Sequence, residues 1–226
     1  GTVFVLCVTM PPSASLELCD RLAANGMQPI DAPVSGGSVK ALAGKMTIMA
    51  SGDPKAFERA APALDAIAGK VFRLGDTPGL GSQVKMVNQL LAGVHIAATA
   101  EAMTLGAKIG IDLQQLHEVI CECAGSSWMF ENRGAHIVAG DYTPHSAVDI
   151  FVKDLGIVAS EAGKAGCNTP LTSAALALFQ QASAAGLGRE DDSAVAKILA
   201  ASAKVDLPGV DLPGVDLPEV TTADTR

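Results

Sequence analysis

The stretch Gly79-Leu-Gly-Ser-Gln-Val-Lys85-Met-Val-Asn88-Gln89 gathers several residue types that can do chemistry within three helical turns. On a helix Lys85 and Asn88 share a face, and further steps of three and four reach Ala92, His95 and Thr99. The rest of that helix is built from Val84, Val87, Leu91 and Val94. A lysine held among apolar neighbours can have its pKa drawn toward neutrality and then give or take a proton. A surface helix that turns Lys85 and Asn88 to water has the same spacing, so spacing leaves both readings open. A second segment, Asp31-Ala-Pro-Val-Ser35-Gly36-Gly37-Ser38, ends a strand pattern with hydroxyls and two glycines. Ligands of open α/β sheets sit at the carboxyl ends of strands, where glycine backbone lets a carboxylate or hydroxyl approach the amides. An ordinary turn has the same composition.

Other chemistries find little support. His117, His136 and His145 show no paired ligand spacing, so no metal site is expected. Cys7, Cys19, Cys121, Cys123 and Cys167 are odd in number and irregular in spacing, which fits neither a disulfide framework nor a zinc pattern and suits a reducing cytosol. There is no GxSxG elbow and no HExxH, which argues against hydrolase readings.

The elements that must position these residues change character along the chain. Val3–Val8 reads as a strand buried on both faces, followed by a helix opened by Pro11-Pro12-Ser13 with Ser13 as its cap. Strands at 27–34 and 45–50, a helix through 57–67 and a strand at 70–74 complete an open α/β sheet. From Gly81 the strand signals stop. A long helix over 82–108 is followed by helices near 113–123, 130–138, 147–165, 171–185 and 193–202. The fold class is therefore α/β followed by all-α, with residues 1–79 as one domain and 80–204 as a helical one. Residues 205–226 repeat Val-Asp-Leu-Pro-Gly, and proline at every fifth position predicts an extended or disordered acidic tail.

Composition agrees. Apolar residues make up 49% and charged residues 18%, which excludes a disordered chain, while 4% aromatics with abundant alanine and glycine imply closely packed helices. The net charge is −8, and residues 205–226, with five acids and one base, hold half of it. That balance argues against nucleic acid or an anionic membrane as the main partner. No run of consecutive apolar residues approaches 18, so no membrane span is expected, and Val3–Val8 lacks the basic flank of a signal peptide. A chain opening on Gly1 is expected to be a fragment.

Taken together, Asp31-Ala-Pro-Val-Ser-Gly-Gly37, Gly79-Leu-Gly-Ser-Gln-Val-Lys85-Met-Val-Asn88 and Phe151-Val-Lys153-Asp-Leu-Gly156 resemble the motifs of the β-hydroxyacid dehydrogenase family, in order and spacing across roughly residues 1–200. Asp76–Gly81, Leu90–Ile96, Ser127–Arg133, Gly140–Pro144 and Glu190–Ala194 look most like its L-threonate dehydrogenase branch. The resemblance implies the C-terminal part of a Rossmann-type sheet, a long interdomain helix and a helical domain that pairs two subunits. It implies NAD, or alternatively NADP, as cofactor, a small hydroxy acid as substrate and a cytoplasmic enzyme. Lys85 would be the catalytic acid/base, and Asn88, Ser35, Gly36 and Gly37 would bind substrate. Thr9 and Lys153 would contact the dinucleotide, and Trp128 and the Glu190–Ser193 stretch would edge the pocket unless they serve packing and capping. The sequence contains no Gly-x-Gly-x-x-Gly turn, so the first half of the nucleotide-binding domain is expected to be absent. Of the Asp-x-Ser-Thr pattern expected after the first strand, Leu6-Cys-Val-Thr9 keeps only Thr9. These departures leave a rival expectation, a non-catalytic helical interaction module.

Overall fold

The computed structural model describes residues 1–210 and divides into two compact units. The first comprises Gly1–Leu91 and Asp154–Thr169, the second Ala92–Lys153 and, among the described residues, 170–210.

The first unit contains β1 (Val3–Leu6), α1 (Pro12–Ala24), β2 (Gln28–Asp31), β3 (Val34–Ser35), α2 (Gly37–Leu42), β4 (Met46–Gly52), α3 (Pro54–Ile67), β5 (Ala68–Gly75) and the start of α4 (Leu80–Lys108). Its sheet is mixed. β1 runs parallel to β2 and β4 parallel to β5, whereas β4 pairs antiparallel with both β2 and β3. Ile30, Ile48 and Ala50 of the sheet pack with Ala56, Phe57, Ala60 and Leu64 of α3 into one apolar core. Asp53 caps α3 by accepting the Lys55 N–H at 2.7 Å, and Pro54 follows where a missing N–H costs nothing.

Three local expectations are corrected. Phe4 of β1 is 44% exposed, so this strand is not buried on both faces; its pairing is with β2 on one side. Helix α1 begins one residue before Ser13, with Pro11 in the capping place and no side-chain cap bond, because Pro12 supplies a preset φ instead. The expected strand at 27–34 is two short ones, broken between Asp31 and Val34.

The second unit takes the rest of α4 with α5 (Leu113–Cys121), α6 (Trp128–Ala139), the first turns of α7 (Val148–Lys164), α8 (Pro170–Ala182) and α9 (Val195–Ala203). Phe151 and Phe179 stack at 5.2 Å in its interior, and Ile137, Val148, Val195 and Ile198 are fully buried. The chain does not leave this unit at Lys204. Leu207 is 5% exposed, so the first copy of the repeat packs rather than trails, while residues 211–226 of the expected tail lie outside the described residues.

Helix α4 also corrects the reading of apolar runs. An 18-residue window within Leu80–Lys108 has mean hydropathy 1.3, long and apolar enough by composition to cross a membrane. Ile96, Ala100 and Met103 on it are at most 1% exposed, whereas Val84, Val87, Leu91 and Leu105 are exposed.

Candidate active site

The site starts with how the sheet grips α4. Asp31, the last residue of β2, is 1% exposed, and both its oxygens are used. Oδ1 accepts the hydroxyls of Ser15 (2.9 Å) and Ser82 (2.6 Å), and Oδ2 accepts the backbone N–H groups of Gly79 (3.1 Å) and Ser82 (2.8 Å). The first N–H groups of a helix have no partner within the helix and carry partial positive charge, so a buried carboxylate satisfies both needs. Ser51 of β4 takes the Gly81 N–H at 3.0 Å. Gly81 is obligatory here, because a Cβ would sit 2.5 Å from the Met49 carbonyl oxygen and 2.6 Å from that of Asp31. Helix backbone therefore meets sheet backbone directly.

One turn further on, the polarity of α4 is the reverse of an ordinary amphipathic helix. Lys85 and Gln89 are each 7% exposed, whereas Val84, Val87 and Leu91 are 41–54% exposed. The surface reading of Lys85 thus does not hold. Its Nζ donates to Gln89 Oε1 at 2.7 Å, and Asn88 Nδ2 donates to the same oxygen at 3.0 Å. The other end of that carboxamide, Nε2, donates to Asp154 Oδ2 at 2.5 Å. Asp154 is 2% exposed and belongs to the part of α7 in the same unit. Lys85, Asn88, Gln89 and Asp154 form one connected polar group, buried at Lys85, Gln89 and Asp154. Chemically it can hold an ammonium at a fixed place and direction, which is what proton exchange with a bound hydroxyl requires.

Sequence reasoning missed Gln89 and Asp154. Gln89 stands four residues after Lys85, a spacing that brings side chains together on a helix and could have found it. Asp154 had no such signal.

The remaining predicted residues lie as follows. Ser35 ends β3 opposite Thr47 and is half-buried. Gly36 (φ 133°) and Gly37 (φ 64°) carry the chain from that strand end into α2. Thr9 is half-buried in the turn between β1 and α1, and Lys153, exposed on α7, immediately precedes Asp154. Trp128 is 53% exposed at the start of α6.

In the second unit Asp191, Asp192 and Ser193 are completely buried, and their bonds are structural. Asp191 accepts Ser193 N–H (3.1 Å), Ser193 Oγ (2.7 Å) and His145 N–H (3.0 Å), while the Arg133 guanidinium pairs with Asp192 through Nε and Nη2. Burial pushes the Asp191 carboxyl up, but the Ser193 bonds and the Arg133 charge outweigh it and hold the group below the usual carboxylate range. Asp191 caps the short turn Asp192–Ala194, so the capping expected of this segment is present. Among the described residues no three His, Cys, Asp or Glu side chains gather in a way that could hold a metal ion.

A mixed sheet, a long helix bearing a buried lysine near its start and a helical unit are the elements of a dehydrogenase of the β-hydroxyacid class. Residues 79–199 match the profile of the NAD-binding region of NADP-dependent 3-hydroxyisobutyrate dehydrogenase, and residues 1–75 that of the NAD-binding domain of 6-phosphogluconate dehydrogenase. L-threonate dehydrogenase of Escherichia coli K12 is 56% identical over 209 residues, covering 92% of this chain and 68% of the relative. 2-(Hydroxymethyl)glutarate dehydrogenase of Eubacterium barkeri is 42% identical over 88% of this chain and 66% of that protein. Among solved structures, a 3-hydroxyisobutyrate dehydrogenase from Salmonella typhimurium superposes with TM-score 0.83 at 55% identity, covering 87% of this chain and 69% of the other. The chain belongs to the 3-hydroxyisobutyrate dehydrogenase-like β-hydroxyacid dehydrogenase family and spans about two thirds of the length of the relatives it matches.

NAD, with NADP as the alternative, is the family's cofactor. The residues present fit it in part. The carboxyl ends of parallel β1 and β2, followed by the turn that carries Thr9, are where an α/β sheet receives a nucleotide. The glycine-rich turn that would hold a pyrophosphate is not in this sequence.

Proposed function

We propose that this chain carries the acid/base and substrate-binding part of an enzyme that oxidises a hydroxyl of a small sugar acid of the L-threonate type. The dinucleotide, when bound, supplies the hydride acceptor. Lys85 Nζ takes the hydroxyl proton as the C–O bond becomes C=O, and in the reverse direction its ammonium stabilises negative charge on the oxygen. Asn88 holds the hydroxyl or the carboxylate, and Ser35, Gly36 and Gly37 bind the carboxylate end. Thr9 and Lys153 contact the dinucleotide. The helical unit pairs with that of a second chain, and the enzyme works in the cytoplasm.

The observation that carries this reading is the buried Lys85, seated on Gln89 at the sheet-anchored start of α4. The similarity to proteins named L-threonate dehydrogenase supports the substrate class. The test joins a Gly-x-Gly-x-x-Gly strand–turn–helix unit ahead of Gly1 and compares substrates. Threonate or erythronate should give a higher kcat/KM than 3-hydroxyisobutyrate. Equal or reversed values would reject the substrate assignment.

A further inference from the structure

The repeat that closes the sequence plays no part in this chemistry. Its copies are Val205-Asp-Leu-Pro-Gly209, Val210-Asp-Leu-Pro-Gly214 and Val215-Asp-Leu-Pro-Glu219. The first copy is held at two points and closed by a turn. Val205 N–H donates to the Ala200 carbonyl at 3.0 Å, directly after Lys204 ends α9 in the left-handed conformation. Leu207 is buried. Val210 N–H then donates to the Leu207 carbonyl at 3.2 Å, closing a four-residue turn.

The turn explains the motif. Proline sits in its second place and Gly209, at φ 66°, in its third, the residue choice of a type II turn. The turn lies against Gly140, which ends α6 at φ 64°. A Cβ on Gly140 would be 2.8 Å from Gly209 N, and a Cβ on Gly209 would overlap the Gly140 carbonyl oxygen. The seat therefore selects a leucine to bury, a Pro-Gly pair to turn, and no side chain at the fifth place.

We propose that this seat on the helical unit is a recognition site for the sequence Val-Asp-Leu-Pro-Gly, and that the same chain's second copy, Val210–Gly214, is its alternative occupant. The second copy matches the first at all five positions and is likewise followed by a valine. The third copy is excluded, because Glu219 brings a Cβ to the place where Gly209 meets Gly140. When the second copy is seated, residues 205–209 form a five-residue loop, a common connection length whose closure cost grows only slowly with length. The first copy needs no such loop, so it holds the seat until it is lost. A tethered copy also acts at an effective concentration on the order of millimolar, above that of another chain in dilute solution.

The test uses thermal melts of the full chain, at two concentrations tenfold apart, with Leu207→Ala, Leu212→Ala, both together, and Leu207→Ala with Gly214→Glu. Leu212→Ala alone should leave Tm unchanged, and the double alanine variant should lower it by about 4–10 °C. Leu207→Ala alone should lose less than half of that, and adding Gly214→Glu should restore the full loss. The proposal is overturned if Leu207→Ala alone falls as far as the double variant, or if the double variant melts like the parent. It is also overturned if the protection grows with protein concentration, which would give the seat to a second chain.

Discussion

Gln89 sets the direction of the Lys85 ammonium through the orientation of its own carboxamide. Its carbonyl faces two donors, Lys85 Nζ and Asn88 Nδ2, and its amide nitrogen faces the Asp154 carboxylate. Rotating the amide by half a turn would oppose donors to donors and a carbonyl to a carboxylate, at a cost of about 1–3 kcal/mol for each unmet buried group. Gln89→Ala in the joined enzyme should therefore lower kcat by roughly tenfold or more and raise KM as well, since Lys85 and Asn88 lose the same carbonyl partner. Steady-state kinetics would show this, and an unchanged kcat would mean that Lys85 is aimed without Gln89. Lys85 and Asn88 were legible because residue type and helical spacing coincide. Asp154 was not, since 65 residues separate it from Gln89 and only the packing of α7 brings the two together.

Helix α4 shows what periodicity can and cannot reveal. Its length was plain from the run of helix-forming residues, but its buried side was not, because Lys85 and Gln89 face inward and Val84, Val87 and Leu91 face outward. Hydrophobic patterning assigns faces by polarity, so a helix that buries polar groups is read the wrong way round. The six-residue α2 escaped notice because Gly36-Gly37 looks like a turn and no residue of the helix is buried. The anchor at Asp31 belongs to the same scale. Asp31→Asn keeps the shape but offers an amide nitrogen to N–H and O–H donors, and should cost about 2–4 kcal/mol. That corresponds to a fall in Tm of about 5–15 °C for a chain of this size. Ser82→Ala should cost less, because the Gly79 and Ser82 N–H bonds to Asp31 remain. A melt of Asp31→Asn within a degree of the parent would show that the helix start is held by Gly81 packing alone.

At the scale of the whole molecule, the order of α/β then helices was legible from the point where strand signals stop at Gly81, whereas the seating of Leu207 was hidden behind a proline repeat that reads as tail. Acid stability should report the helical unit. Asp191 has a folded-state pKa below its unfolded value, so its contribution is fully present above about pH 4 and is lost as pH falls through the folded value. Tm should decline below about pH 4, and Asp191→Asn should lower Tm at pH 7 while flattening that decline; an equally steep decline in the variant would place the acid-sensitive group elsewhere. The account as a whole rests on Lys85 as the group that exchanges the substrate proton. The most direct measurement is kcat of the joined enzyme carrying Lys85→Ala or Lys85→Arg. Both should fall by about 10²–10⁴, because alanine has no base and an arginine stays protonated and cannot accept the proton. An arginine variant that kept most of its activity would contradict the account, leaving Lys85 as an electrostatic clamp and the base elsewhere.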